Sequence, residues 1–144
     1  MRIESAHDSD LPEVLRLLAE HQLPLDGVDA HVATMVVARD GARVVGAAAI
    51  EVYRDGGLLR SVVVDRAYQG QGLGHLLTTA ALDLARVRGV NVVFLLTTTA
   101  EAFFPRFGFE SIPRADVPAT VQQSIEFQSA CPASATVMRK QLAP

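Results

Sequence analysis

The stretch SVVVDRAYQGQGLGHLL, Ser61 to Leu77, runs three β-branched residues into an acid, then polar residues, then glycines at 70, 72 and 74. Beyond them Leu73, Leu76, Leu77, Ala80, Ala81 and Leu84 recur at helical spacing, and Gly89 suits a C-terminal cap. Strand, glycines and helix in this order suit a phosphate. Backbone N–H groups at a helix N-terminus meet a pyrophosphate with hydrogen bonds and with the favourable end of the helix dipole. The alternative is a glycine-rich turn that binds nothing. Against it, each glycine lowers helix propensity by roughly 1 kcal/mol relative to alanine, so a helix that only had to start gains nothing from them.

Two familiar phosphate motifs do not fit. The dinucleotide fingerprint begun at Gly70 requires glycine at position 75, which is His75, and no Gly-Lys-Ser/Thr follows to make a Walker loop. The pattern that remains is Gln69-Gly70-Gln71-Gly72-Leu73-Gly74.

Toward the N-terminus, LLRSVVVD is preceded by MVVAR, the turn Asp40-Gly41 and RVVGAAAIEVY, with a second turn at Arg54–Gly57. Three successive antiparallel strands are expected. Earlier still, MRIESAH reads as a short strand, and Leu11, Val14, Leu15 and Leu18 mark a helix that Asp8-Ser9-Asp10 can cap and Pro24 stops. Leu25 to Thr34 reads as a loop with a brief helix, placed to line a pocket. Toward the C-terminus, NVVFLL is a continuous apolar run, expected to be a buried strand parallel to the one before the glycines. TTTAEAFFPRFGFE comes next with a short aromatic helix, and SATVMRKQL closes the chain as a strand. The fold class is α+β: residues 1–144 form a single domain with a mixed sheet.

Composition fits a small-molecule ligand. The 144 residues are 49% hydrophobic and 20% charged, with 13 basic and 16 acidic side chains giving a net charge of −3. That balance leaves no footprint for nucleic acid or an anionic membrane. The start of the chain lacks a signal-peptide layout, and the one cysteine, Cys131, fits a reducing compartment, so a cytoplasmic protein is expected. Cys131 reads as a small buried hydrophobe rather than a reactive thiol. His7, His21, His31 and His75 have no metal-ligand spacing.

The loop Gln69–Gly74 has the form Q/R-x-x-G-x-G/A and resembles the acetyl-coenzyme A loop of the Gcn5-related N-acetyltransferases, the GNAT family. With VVVD before it and AEAFFPRFGF after it, the resemblance covers most of the chain. LLRSVVV and LLTTTAEAFFPRFGF are similar to parts of N-acetylglutamate synthases. The whole, including CPASATVM, resembles bacterial GNAT proteins labelled arsenic-resistance N-acetyltransferases, a name that says little about the acceptor.

The resemblance implies a mixed sheet of antiparallel meander and splayed parallel pair, flanked by helices. It implies acetyl-CoA bound by Gln69, Gly70, Gln71, Gly72, Leu73, Gly74 and His75, with the pantetheine arm along the backbone of Val62, Val63 and Val64. One N–H there would meet the thioester oxygen and stabilise the tetrahedral oxyanion. Two positions depart from the family pattern: Phe104 stands where many members have a tyrosine that protonates the leaving thiolate, and Thr97 where many have asparagine. Both remain candidate coenzyme contacts. The synthase pattern also does without that tyrosine, so its loss is poor ground for inferring inactivity.

An amine attacks only when neutral, so a base is expected; at pH 7 an ammonium of pKa around 10 pays about 4 kcal/mol. Glu51 is the chosen carboxylate, with an exposed strand-end role as its alternative and Glu4, Glu20 and Glu101 left open. Arg60, entering the strand before the coenzyme contacts, is the candidate anchor for an acceptor carboxylate through two parallel hydrogen bonds. Its alternative is a solvated strand arginine, and alternation sets it on a different face from Ser61. The expected function is transfer of acetyl from acetyl-CoA to a small amine, an amino acid or carboxylate-bearing analogue, with no metal. A protein acetyltransferase and a CoA-binding sensor are the alternatives, and a homodimer stays open.

Overall fold

The structure, a computed structural model, describes residues 1–142. In chain order it contains β1 (Arg2–Ser5), α1 (Leu11–Glu20), β2 (Met35–Asp40), β3 (Arg43–Tyr53), β4 (Gly56–Val64), α2 (Leu73–Val87), β5 (Val92–Thr97), β6 (Glu110–Ser111) and β7 (Thr136–Gln141). The strands form one seven-stranded sheet in the order β1-β2-β3-β4-β5-β7-β6. All neighbours are antiparallel except β4 and β5, which the connection through α2 makes parallel.

Both faces of the sheet are covered. On one, Leu73, Leu77, Ala81, Leu82 and Ala85 of α2 pack on Val36, Ala38, Val45, Ala48 and Ile50. On the other, Val14, Leu17 and Leu18 of α1 pack on Val37, Val44, Ala47 and Ala49. Double burial explains why β3 carries an almost unbroken apolar run rather than alternation. A third cluster, Leu58, Phe94, Val117, Val121 and Val137, covers the β5–β7 end with the segment before β7.

Two irregularities of β4 open the sheet at one end. Ala47 lies opposite Val63 and Ala49 opposite Arg60, so β4 spends three steps where β3 spends two; the extra residue makes a bulge, and Ser61 has φ +60°. The second is its pairing with β5, which consists of Gly57 opposite Val93 and Leu58 opposite Phe94. Beyond that point the parallel strands diverge. The aromatic segment is a single 3-10 turn, Phe104–Phe107, with Pro105 in the first turn where its missing N–H costs nothing. The segment VQQSIEF, Val121 to Phe127, enters two short pieces, a 3-10 turn at Val121–Gln123 and a π turn at Glu126–Ala130. Among the described residues no helix is long and apolar enough to cross a membrane.

Candidate active site

The glycine loop ends at an open helix terminus. Gly70 and Gly72 have φ +82° and +81°, and a Cβ at either would meet no protein atom within 4 Å, so both are bare toward solvent. Gly72 is the N-cap of α2 and no side chain caps it. The first helical bond runs from Leu76 N–H to Gly72 C=O, which leaves the N–H groups of Leu73, Gly74 and His75 free to point out along the axis. Left-handed glycines followed by free N–H groups make an anion cradle. The His75 ring lies over Phe107, with centroids 4.8 Å apart.

A cleft of about 500 Å³ opens between the diverging ends of β4 and β5, with Gln69 of the glycine loop in its lining. Asp65 N–H bonds Val45 C=O at 2.8 Å and Val63 sits opposite Ala47, so alternation turns the backbone groups of Val62 and Val64 away from β3, toward the gap. The Val64 carbonyl accepts from Gln69 Nε2 at 3.0 Å. Across the gap, Thr97 Oγ1 accepts from Ala100 N–H at 2.9 Å, which leaves its own hydroxyl proton to donate. Phe104 is buried in the lining, its ring edge-on to Phe103 and Phe109. A pyrophosphate at the glycines and an extended arm along exposed strand backbone fit these surfaces.

Among the described residues no phenol reaches the cleft lining. Tyr53 donates to Glu51, and Tyr68 donates to Asp40. Phe104→Tyr and Tyr68→Phe are therefore each expected to change turnover by less than about tenfold in steady-state kinetics. A loss of about a hundredfold in Tyr68→Phe, with coenzyme affinity retained, would make that phenol the acid.

At the far end of the cleft lies a buried charge cluster, and here the sequence expectations need correction. Arg60 is not solvated: its side chain is fully buried, and Nη1 donates to Glu51 Oε2 at 2.8 Å, Nη2 to Pro24 C=O at 3.3 Å and Nε to Ser61 Oγ at 3.3 Å. Glu126 Oε2 also lies 3.3 Å from Nε. The bulge brings Ser61 Oγ to the guanidinium side, where simple alternation would separate them. Glu51 is not an exposed strand end either. It is fully buried and accepts from Tyr53 as well as Arg60, with His31 Nε2 at 3.3 Å. Burial pushes its carboxyl up, but hydrogen bonds from Ser124, Tyr53 and Arg60 and the nearby His31 outweigh that and hold it below the usual range. A carboxylate so held is a weak base. The other open carboxylates are no nearer: Glu4 pairs with Arg39, Glu20 with Arg16, Glu101 accepts from Thr136, and none lines the cleft.

Among the lining residues that the sequence reading did not place at the site are His21, Pro24, Glu126 and Cys131. Glu126 is 4% exposed. Burial pushes its carboxyl up, Arg60 pulls it down and Glu51 raises it again, leaving it at about 7. Cys131 is pushed up to about 12 by burial and by Glu126, so its thiol stays protonated and donates to that carboxyl rather than acting as a nucleophile.

The raised Glu126 carboxyl has a consequence for stability. Below about pH 4.5 it is protonated folded or unfolded; between there and about 7 only the unfolded chain ionises, so folding loses stability as pH rises through that window. The loss is at most on the order of 3 kcal/mol. Glu126→Gln is expected to remove it, so the difference in melting temperature between wild type and variant should shift in the variant's favour from pH 4.5 to 7.5. A difference that is flat with pH would show that the carboxyl ionises normally.

Similarity to known proteins decides the family. The family model described as Acetyltransferase (GNAT) domain matches residues 31–111, from the turn before β2 through β6. The chain belongs to the GNAT acetyltransferase family. It is 41% identical over 80 residues to an amino-acid acetyltransferase of Mycobacterium tuberculosis, a match covering 55% of this chain and 45% of that protein. The chain thus spans less than half the length of that curated relative. The crystal structure of Rv2747 from Mycobacterium tuberculosis in complex with CoA and NLQ superposes with a TM-score of 0.83 at 28% identity, covering 99% of this chain and all of that one. N-acetylglutamate synthase from Neisseria gonorrhoeae, complexed with coenzyme A and N-acetyl-glutamate, gives 0.85 at 22% identity over 99% of this chain and 35% of that chain, a likeness of fold. The α+β GNAT fold with its splayed parallel pair is as the sequence resemblance implied.

Proposed function

We propose that this protein transfers acetyl from acetyl-CoA directly to the amine of a small molecule, an amino acid or a carboxylate-bearing analogue. The observation that carries the reading is the make-up of the cleft. It is lined by Gln69 beside the glycine loop, by Val62, Val63 and Val64 of β4, and by Arg60 and Glu126 of a buried cluster of two carboxylates and one guanidinium. In this reading the glycine loop holds the pyrophosphate, Val62 and Val64 align the arm, and a β4 N–H meets the thioester oxygen as it gains charge. Thr97 offers its hydroxyl to the arm, and Phe104 packs beneath it.

The amino acid assignment is supported by the amino-acid acetyltransferase relative and by the charge at the cleft end. With Glu126 ionised, two carboxylates outnumber one guanidinium, which favours an ammonium. Arg60 supports the acceptor site by fixing both carboxylates; with its side chain covered, it does not present a free fork to an acceptor carboxylate. The test is thiol release from acetyl-CoA across amino acids, their amides and short peptides. Turnover with free amino acids is expected. Peptide-only turnover would make this a protein acetyltransferase, and tight coenzyme binding without turnover a sensor.

A further inference from the structure

We propose that Glu126 is the base that takes the proton from the acceptor's ammonium, a step that rests on the acetyl-transfer reading of this cleft. Glu126 opens the π turn Glu126–Ala130, which closes over the cleft together with Cys131 and Pro132. Glu126 Oε2 and Ser61 Oγ both lie 3.3 Å from the Nε of Arg60, so the carboxyl sits beside the bulge at which β4 turns its backbone toward the cleft. That is where the reacting carbonyl must lie if the arm runs along Val62 and Val64.

Glu126 differs from Glu51 in place and in holding. Glu51 lies behind Arg60, outside the cleft lining, pinned by Tyr53 and Arg60. Glu126 is in the lining and touches Arg60 at longer range. The charged and titratable groups facing it are Arg60 from β4, Glu51 from β3 and the Cys131 thiol just after the π turn, while His21 looks across the cleft from the end of α1. Burial and Glu51 together leave its carboxyl near 7, matched to an amine that must lose a proton at neutral pH.

The chemistry balances without a tyrosine. Glu126 carboxylate takes one proton from the ammonium. The freed lone pair attacks the thioester carbon, the C–N bond forms, and the carbonyl pair moves to oxygen. On collapse the C–S bond breaks with its electron pair going to sulfur, the thiolate takes the second proton from nitrogen, and Glu126 returns its proton to water. The products are the amide, CoA thiol and one proton.

The test is kcat/KM against pH for wild type, Glu126→Gln and Glu126→Asp, using the best amino acid acceptor from the screen. Wild type should show a limb rising through about pH 7. Glu126→Gln should fall about a hundredfold at pH 7, lose that limb and approach wild type only at high pH, with coenzyme affinity unchanged. Glu126→Asp should lose rate but keep the limb. An unaltered limb in Glu126→Gln overturns the proposal while leaving acetyl transfer intact; wild type without turnover on any amine overturns both. Wild type alone supplies a check that needs no folded variant, because across acceptors of different amine pKa the limb must stay near 7. A limb that tracks the amine's own pKa removes the base from Glu126.

Discussion

Gly72→Glu is expected to weaken acetyl-CoA binding at least a thousandfold while leaving a folded protein. Gly72 has φ +81° and caps α2 with nothing but its backbone. A side chain there points into the space before the free N–H groups of Leu73, Gly74 and His75, where a pyrophosphate would lie. Two effects then add. The carboxylate repels two or more negative charges, each pair at 4 Å being worth about 1 to 4 kcal/mol between bulk water and a protein surface, and it occupies the donors itself. The fold is spared because a negative charge at a helix N-terminus contributes about 0.3–1 kcal/mol, against the cost of left-handed backbone for a non-glycine residue, about 1–2 kcal/mol. Gly72→Asn, which tolerates that backbone without a charge, should lose far less affinity. Titration calorimetry beside circular dichroism decides, and wild-type affinity in the glutamate variant would remove the loop assignment.

What could be read in the sequence was what depends on neighbours along the chain. The phosphate cradle is local: glycines that take positive φ, then the first turn of a helix, all within Gly70 to His75. The β2–β4 meander and the parallel β4–β5 pair were legible for a similar reason, since Asp-Gly turns and the αβ crossover each constrain adjacent elements. The acceptor end was not legible because its parts come from distant segments. Arg60 meets Glu51 from the adjacent strand, the Pro24 carbonyl from beyond α1, and Glu126 from a π turn 66 positions later. No local pattern marks that turn, because VQQSIEF reads equally well as helix. The bulge was hidden too. A serine at φ +60° carries none of the glycine or asparagine signal that usually flags such backbone, yet it sets which side of β4 Ser61 and Arg60 share.

Arg60→Ala is expected to cost the fold about 3–5 kcal/mol, the usual result of removing one partner from a buried ion pair. For a chain of this size that is a fall in melting temperature of roughly 10–20 °C. The guanidinium has no exposed surface and Glu51 has none; without Arg60, Glu51 must either keep an uncompensated charge or take up a proton. The pH dependence gives the sign. A carboxyl held below its usual value stabilises the fold fully above that usual value and loses the contribution as pH falls from there through its lowered folded value, so the penalty of Arg60→Ala should be largest near neutral pH and shrink below about 4.5. Replacing both partners, as Arg60→Met with Glu51→Gln, should recover much of the loss, because the desolvated charge is gone along with its partner. An arginine acting instead as a free anchor for the acceptor's carboxylate predicts the opposite pattern: melting temperature unchanged, and the acceptor's KM raised tenfold or more. Thermal melts of the single and double variants across pH 4 to 8, set beside acceptor kinetics, separate an arginine that builds the site from one that grips the substrate.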